Sequence, residues 1–154
     1  LQCATLASQE GASAPLIAAA LLHDIGHMVE STLGSRDPAD DLMHEASGAR
    51  FLGQWFPREV TEPVRLHVIA KRFLCGNEVS YYDTLSPASR HSLELQGGPM
   101  SADAQRQFLT TPFAREAIAL RRWDDLAKDT DLELALSLED FKELLESLMR
   151  PEVA

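Results

Sequence analysis

The segment from Leu16 to His27 is apolar on almost every side when it is drawn as a helix. A surface helix needs only one apolar stripe, so a helix of this kind is predicted to lie at the centre of a fold. Helical periodicity also dominates the rest of the chain, and the single strand-like fragment, at residues 79–82, is not accepted as a strand. The sequence therefore predicts an all-α fold, a helical bundle around this central helix.

Residues typical of helix ends divide the remaining chain. Gly11 ends a first helix, Ser13 and Pro15 begin the central one, and Pro57 ends the helix after it. Residues 34–41 are predicted to be an exposed loop, 76–86 to be irregular, and 97–99 to form a turn. Further helices are predicted at 1–10, 41–55, 62–75, 86–96, 101 onwards, 111–128 and 137–149, the last with Leu138, Phe141, Leu144, Leu145 and Leu148 facing inward.

Size and charge limit the possible partners. The 154 residues are 45% hydrophobic, which suits one domain over residues 1–154 with a single core. The net charge of -10 argues against nucleic acid and anionic membranes, because both attract basic surfaces. No apolar run is long enough to span a membrane. The two cysteines are expected to be free thiols in a reducing compartment, so we predict a cytoplasmic protein.

The chain begins inside a helical pattern. Residues 1–7 are already amphipathic, and no capping residue precedes them. We therefore expect that further residues of this helix precede Leu1 in the full protein.

The pair His23-Asp24 stands at the end of the apolar segment. An unpaired carboxylate is costly to bury, so a cation is expected near Asp24. Neighbouring side chains on a helix point about 100° apart, so the imidazole can bind one metal ion while the carboxylate bridges to a second. This pair makes a metal centre the leading hypothesis.

Three more histidines lie where helices can direct them inward. His27 is four residues after His23 and shares its face, His44 precedes a run of small residues, and His67 sits among apolar neighbours. Any one of them alone is better explained as an ordinary core or surface histidine. Together with Asp24 they form a ligand set suited to Zn, Fe, Mn or Ni. His91 lies in a polar stretch and is predicted to be exposed.

Other residues suggest a carboxylate ligand and an anion pocket. Of the pair at 124 and 125, the helical period does not decide which one faces inward, and a surface role beside the arginines at 121 and 122 is favoured by the pattern alone. Lys71 lies one turn after His67, and Ser89 and Ser92 lie near a helix start, where hydroxyls and N–H groups can hold a phosphate or phosphonate. Simple capping by Ser86 explains those serines equally well.

These residues resemble a known pattern. His23-Asp24, with histidines and an aspartate in order along the chain, resembles the HD-domain metalloproteins. A narrower resemblance, over residues 1–128, is to the phosphonate-degrading HD oxygenases. It rests on residues 66–68 (Leu-His-Val), 70–75 (Ala-Lys-Arg-Phe-Leu-Cys), 85–86, 88–89, 96–100 (Gln-Gly-Gly-Pro-Met), 120–125 (Leu-Arg-Arg-Trp-Asp-Asp) and 127–128.

The resemblance implies roles for individual residues. Those enzymes use two iron ions in a mixed-valent Fe²⁺/Fe³⁺ state and O₂ to cleave a carbon–phosphorus bond. By this resemblance His23 and Asp124 bind the first iron, and His44 and His67 bind the second. Asp24 bridges both. The substrate is met by His27 and Lys71, taken as catalytic, with the phosphonate oxygens held by Ser89 and Ser92.

The family pattern also has a histidine ligand two places before the residue matching Leu1. We expect it in the preceding part of the chain; the alternative is an iron site that lacks this ligand. The implied activity is oxygen-dependent cleavage of a 1-hydroxy-2-aminoethylphosphonate or its trimethylammonio analogue, releasing phosphate and glycine or glycine betaine. Two alternatives remain at this stage. One is a metal-dependent HD phosphohydrolase acting on a phosphate ester, and the other is a non-catalytic binder that keeps the helical shell.

Overall fold

The computed structural model describes residues 1–32, 43–128 and 136–150, and within these ranges every regular element is helical. This confirms the predicted all-α class. The elements, in chain order, are α1 (Gln2–Gln9), α2 (Ala14–Leu22), α3 (Ile25–Thr32), α4 (His44–Leu52), α5 (Arg58–Asn77), α6 (Tyr81–Thr84), α7 (Pro87–Leu95), α8 (Ala102–Leu109), α9 (Ala114–Leu126), a 3₁₀ turn (Glu139–Phe141) and α10 (Lys142–Leu148).

Helix α5 organises the packing. It contacts α2, α4, α8 and α9, and its buried face runs nearly its whole length. Val60 and Val64 belong to a cluster with α1, α2 and α9, whereas Leu74 belongs to a second cluster with α7 and α8. Each fully buried aliphatic side chain contributes about 1.5–3 kcal/mol relative to exposure. His67 lies on α5 between these clusters, so it is held on a rigid scaffold.

The apolar segment is not one continuous helix. The prediction of a single helix from Leu16 to His27 is wrong, because α2 ends at Leu22 and α3 begins at Ile25, with a turn at His23-Asp24 between them. Residues 16–20 are buried as predicted. After the break α3 packs on α4, and at the turn Asp24 is exposed while His23 stays buried.

Two glycines allow the close packing of α3 on α4. A Cβ on Gly26 would lie 1.9 Å from the carbonyl oxygen of His44, and one on Gly48 would lie 3.1 Å from the backbone nitrogen of Gly26. Helices α3 and α4 therefore approach each other backbone to backbone, and this contact positions His44 relative to the turn at residues 23–24.

Replacing Gly26 with alanine is expected to lower the free energy of unfolding by about 3 kcal/mol, because the added methyl group collides with rigid backbone rather than a side chain. Denaturant titration of the purified protein measures the change. Ser31→Ala, on the exposed side of the same helix, is the control and should change stability by less than about 0.5 kcal/mol. Equal stability of the two variants would contradict the close approach.

Other boundaries differ from the prediction. Helix α5 begins at Arg58, not at residue 62, and contains Pro63. Pro63 follows the first turn and removes one helical hydrogen bond, but its ring is fully buried, which offsets that loss. Helix α4 ends at Leu52, before Trp55, and residues 81–84 form a short helix within the segment predicted to be irregular.

The C-terminal helix was also predicted too long. A 3₁₀ turn at 139–141 precedes α10, and Leu138 is 65% exposed, so its predicted inward orientation is wrong. Phe141 is buried, and the other predicted positions pack on the first cluster. Helix α9 begins at Ala114, after Phe113 in a left-handed conformation.

Several of the predicted helix ends are confirmed by the structure. Gly11 and the glycines at 97 and 98 have positive φ, and the side chains of Ser86 and Ser101 cap α7 and α8. Both cysteines are free thiols. The predicted loop at 34–41 lies outside the described residues. Among the described helices, none is long and apolar enough to cross a membrane.

Candidate metal centre and substrate cavity

An open cavity of about 250 Å³ lies beside the turn at residues 23–24. Helices α3, α4, α5, α7 and α9 each contribute to its wall. It is lined by Asp24, His27, His44, His67, Val68, Lys71, Ala88, Ser89, Ser92, Gln96, Arg121, Asp124 and Lys128. Apart from buried His23, which lies behind this wall, every residue predicted for the site lines the cavity.

His23 is oriented by its own helix. Its Nδ1–H donates to the carbonyl of Ala20 at 2.9 Å, so the lone pair of the neutral ring lies on Nε2. Nε2 is buried and makes no hydrogen bond, although Asp24 Oδ2 is 3.2 Å away and Asp124 Oδ1 is 3.5 Å away. A buried ring nitrogen without a hydrogen bond and facing two carboxylates fits a metal position.

When no metal ion is bound, a proton on His23 supplies the positive charge between Asp24 and Asp124. Burial opposes charging of the His23 ring, but the nearby carboxylates of Asp124 and then Asp24 raise its pKa to about 10. The pKa of Asp124 is lowered despite burial, by His23 and by Arg121. The pKa of Asp24 falls to about 2; burial opposes this shift and His23 causes it. The three groups thus form a site that favours positive charge between them.

Two groups of three ligand atoms share Asp24. His23, Asp24 and Asp124 form one group, and Asp24, His27 and His44 form the other; within each group the atoms lie within 4.8 Å of one another. The carboxylate of Asp24 has two oxygens and belongs to both groups. A ligand that bridges two metal ions requires this arrangement. The side chain of Asp24 is 58% exposed, because the turn at residues 23–24 places it at the open cavity.

His67 approaches from α5. Its Nδ1–H donates to the carbonyl of Val64 at 2.7 Å, which leaves the lone pair on Nε2, and that atom lies 3.3 Å from Nε2 of His44. Burial lowers the pKa of His67 to about 3, and His23 adds to the shift, so the ring is neutral and able to bind a metal. His67 belongs to neither three-atom group. His27 belongs to one, and its ring stacks on His44 with centroids 4.0 Å apart.

The opposite wall carries cations and hydroxyls. Lys71 is buried, and its ammonium donates to Ser92 Oγ at 2.6 Å. Lys128 Nζ lies 3.4 Å from Ser89 Oγ. Ser86 caps the N–H of Ser89, so the alternative of simple capping is also correct, but it leaves the hydroxyls of Ser89 and Ser92 on the cavity wall.

Sequence reasoning assigned no role to three polar residues of this cavity: Gln96, Arg121 and Lys128. Arg121 is only 4% exposed, and its Nη1 lies 2.9 Å from Asp124 Oδ2. Spacing of three residues along a helix indicates this pair. The pattern favoured a surface location, however, because charged residues are rarely buried. His91 is exposed, as predicted.

The HD domain model matches residues 1–129, and the chain belongs to the HD domain family. The matched range contains all of the cavity residues.

Two curated relatives carry names that describe their activity. The [1-hydroxy-2-(trimethylamino)ethyl]phosphonate dioxygenase (glycine-betaine-forming) of Leisingera caerulea is 46% identical over 134 residues, which are 86% of this chain and 68% of that protein. The hydroxymethylphosphonate dioxygenase of Gimesia maris is 44% identical over 151 residues, 97% of this chain and 75% of that protein. The chain is therefore closely related to phosphonate dioxygenases.

Proposed function

We propose that this protein is a di-iron dioxygenase that cleaves the C–P bond of a small 1-hydroxyphosphonate. The observation that carries the proposal is one cavity with two different walls. On one side Asp24 is shared by two groups of metal-ligand atoms, and on the other Lys71 meets the hydroxyl of Ser92. The two relatives named as phosphonate dioxygenases support the same reaction class.

The chemistry of the donor atoms fits two iron ions. Imidazole nitrogens and carboxylate oxygens are the donors that non-haem iron uses. The backbone hydrogen bonds of His23 and His67 fix their ring orientation, as is usual for metal-binding histidines. We assign His23, Asp24 and Asp124 to the first iron in a mixed-valent pair, and Asp24, His44 and His67 to the second. His27 is assigned to the substrate, beside the second iron.

The chain's own residues bind and orient the substrate. We propose that Lys71, Ser89 and Ser92 hold the phosphonate oxygens, so that the carbon bearing the hydroxyl points towards Asp24 and His27. His27 then holds the substrate hydroxyl at the open face of the cavity. When bound, the iron pair supplies the Lewis acidity and the activation of O₂ that oxidation of this carbon requires. Phosphate and a carboxylic acid are the products.

The amine end of the substrate is the variable part. One relative is named for a trimethylamino substrate, and the other for hydroxymethylphosphonate, which has no amine. The phosphonate and the hydroxyl are common to both, and we assign the cavity wall to these shared groups. We propose 1-hydroxy-2-aminoethylphosphonate or its trimethylammonio analogue as the substrate, with glycine or glycine betaine as the product. The proposed setting is one HD domain over residues 1–154, acting in the cytoplasm.

Phosphate release under air and under argon tests the proposal. Iron-loaded protein is incubated with the amino, trimethylammonio and unsubstituted hydroxyphosphonates, and with a phosphate monoester. We expect phosphate from at least one hydroxyphosphonate, in proportion to O₂ consumed, and none under argon. Phosphate release from the ester at equal rates with and without O₂ would contradict the proposal and support a hydrolase.

The binding of the phosphonate should depend on pH through Lys71. Burial, and to a smaller extent the positive charge of the nearby Arg121, lowers the pKa of Lys71 to about 8. Its ammonium is therefore present below that pH and lost above it. We expect kcat/KM to fall about tenfold per pH unit above pH 8, because this ratio reports the free enzyme. In Lys71→Arg the guanidinium stays charged, and the same fall in this variant would contradict the assignment.

A further inference from the structure

Arg121 is fixed between two neighbouring carboxylates. Its Nη1 lies 2.9 Å from Asp124 Oδ2, while Nε and Nη2 donate to the two oxygens of Asp125 at 3.0 and 2.5 Å. The side chain is 5% exposed. All three guanidinium nitrogens are therefore engaged on the same helix, α9, and the guanidinium has little freedom to rotate away from Asp124.

Asp125 is itself held from outside the cavity. The hydroxyl of Tyr81, which is buried and lies on α6, donates to Asp125 Oδ2. Lys128 Nζ lies 2.9 Å from Asp125 Oδ1. Asp125 and Tyr81 line a separate outer cavity of about 290 Å³, whereas Asp124 lines the inner one. Neither Asp125 nor Tyr81 lines the inner cavity, and the contacts that join Asp125 to it run through Arg121 and Lys128.

The charge of Asp125 affects how strongly Arg121 interacts with Asp124. A guanidinium beside Asp124 competes with a metal ion for the same carboxylate oxygens. Asp125 shares the guanidinium charge, so Asp124 keeps more of its negative charge for the group that it forms with His23 and Asp24. Without Asp125, the buried cation would have Asp124 as its remaining carboxylate partner on α9.

We propose that Asp125 and Tyr81 are positioning residues for the first metal ion. They hold Arg121 so that Asp124 is fixed in place and remains available to the metal. The inference rests on the proposed function, since it assumes that Asp124 is a ligand. It adds two residues, from α6 and α9, that touch neither metal nor substrate. Outer partners of metal ligands typically change metal affinity by 10- to 100-fold.

Metal titration separates this role from a merely structural one. Metal-free protein is titrated with Co²⁺ without oxygen, and binding is followed by visible absorption and by counting bound ions. The wild-type protein should bind two ions. Asp125→Asn should bind one ion as the wild type does and the other about 10- to 100-fold more weakly. Tyr81→Phe should weaken the same ion by a smaller factor. KM for the phosphonate, measured at saturating iron and well below the pKa of Lys71, should not rise in either variant.

The chain offers a matched control for Tyr81. Tyr82 is the other tyrosine of the chain; its ring lies 4.9 Å from the guanidinium carbon of Arg90. Tyr82→Phe should bind both ions like the wild type. If Asp125→Asn does not fold, Tyr81→Phe alone tests the proposal. This substitution removes only the hydroxyl oxygen of Tyr81 and keeps the ring.

The results of this titration separate the proposed function from the positioning role of Asp125 and Tyr81. A wild-type protein that binds fewer than two ions overturns the proposed function, and this inference with it. A wild-type protein that binds two ions, with both variants equal to it, leaves the proposed function in place and overturns the positioning role. Equal weakening of both ions, or a rise in KM alone, also contradicts a role directed at Asp124.

Discussion

Replacement of Asp24 with asparagine is expected to abolish binding of both metal ions and to lower turnover on the order of 10³-fold or more. Asp24 is shared by both groups of ligand atoms, so a single neutral amide weakens both at once. Asparagine keeps the size of the side chain, and the half-exposed position tolerates it, so the fold should persist. Metal content and kcat, measured after reconstitution with iron, give the result.

Asp103→Asn is the matched control for this variant. Asp103 is exposed on α8, and its ion pair with Arg106 is on the surface. Its removal should leave both metal content and kcat unchanged. Retention of two ions by Asp24→Asn would show that Asp24 is not the bridging ligand. Loss of one ion alone would assign it to a single metal.

Replacement of Lys71 with methionine has the second largest expected effect. Methionine has a similar length and is easily buried, so the variant should fold and keep both metal ions. A charge-assisted hydrogen bond to the phosphonate is worth about 1.5–3 kcal/mol, so kcat/KM should fall roughly 10- to 100-fold, mainly through KM. Steady-state kinetics with the best hydroxyphosphonate, together with metal counting, measures this.

Lys142→Met is the control, because Lys142 is exposed on α10 and pairs with Glu139. It should leave kcat/KM unchanged. Asp24→Asn and Lys71→Met thus divide the cavity into a metal wall and an anion wall. If Lys71→Met lost metal ions, or kept the wild-type KM, this division would be wrong.

Much of the fold follows from local patterns. The periodicity of residues 114–126 and the caps at Ser86 and Ser101 depend on nearby residues, and these features are found. The break after Leu22 does not depend on nearby residues. It is coupled to the contact between Gly26 and the backbone of His44, which are distant in sequence. Pro63 inside α5 is likewise tolerated because its ring is buried by tertiary packing.

The candidate site also has some features that the sequence predicts and others that depend on tertiary packing. Residue types and resemblance pointed to four histidines and Asp124, and the structure places His27, His44, His67 and Asp124 around one cavity, with His23 behind its wall. The direction of the Asp24 side chain could not be predicted from helical spacing, because Asp24 lies in a turn between α2 and α3. Arg121 was missed because its burial depends on ion pairs with two carboxylates and on tertiary packing, which the helical pattern alone does not show.

X-ray diffraction recorded on either side of the iron absorption edge, from crystals of the iron-loaded protein, tests the central claim most directly. We expect two anomalous peaks, about 3.5–4 Å apart, with the carboxylate of Asp24 between them. His23 and Asp124 should lie beside one peak, and His44 beside the other. A single peak, or peaks that Asp24 does not join, would contradict the account.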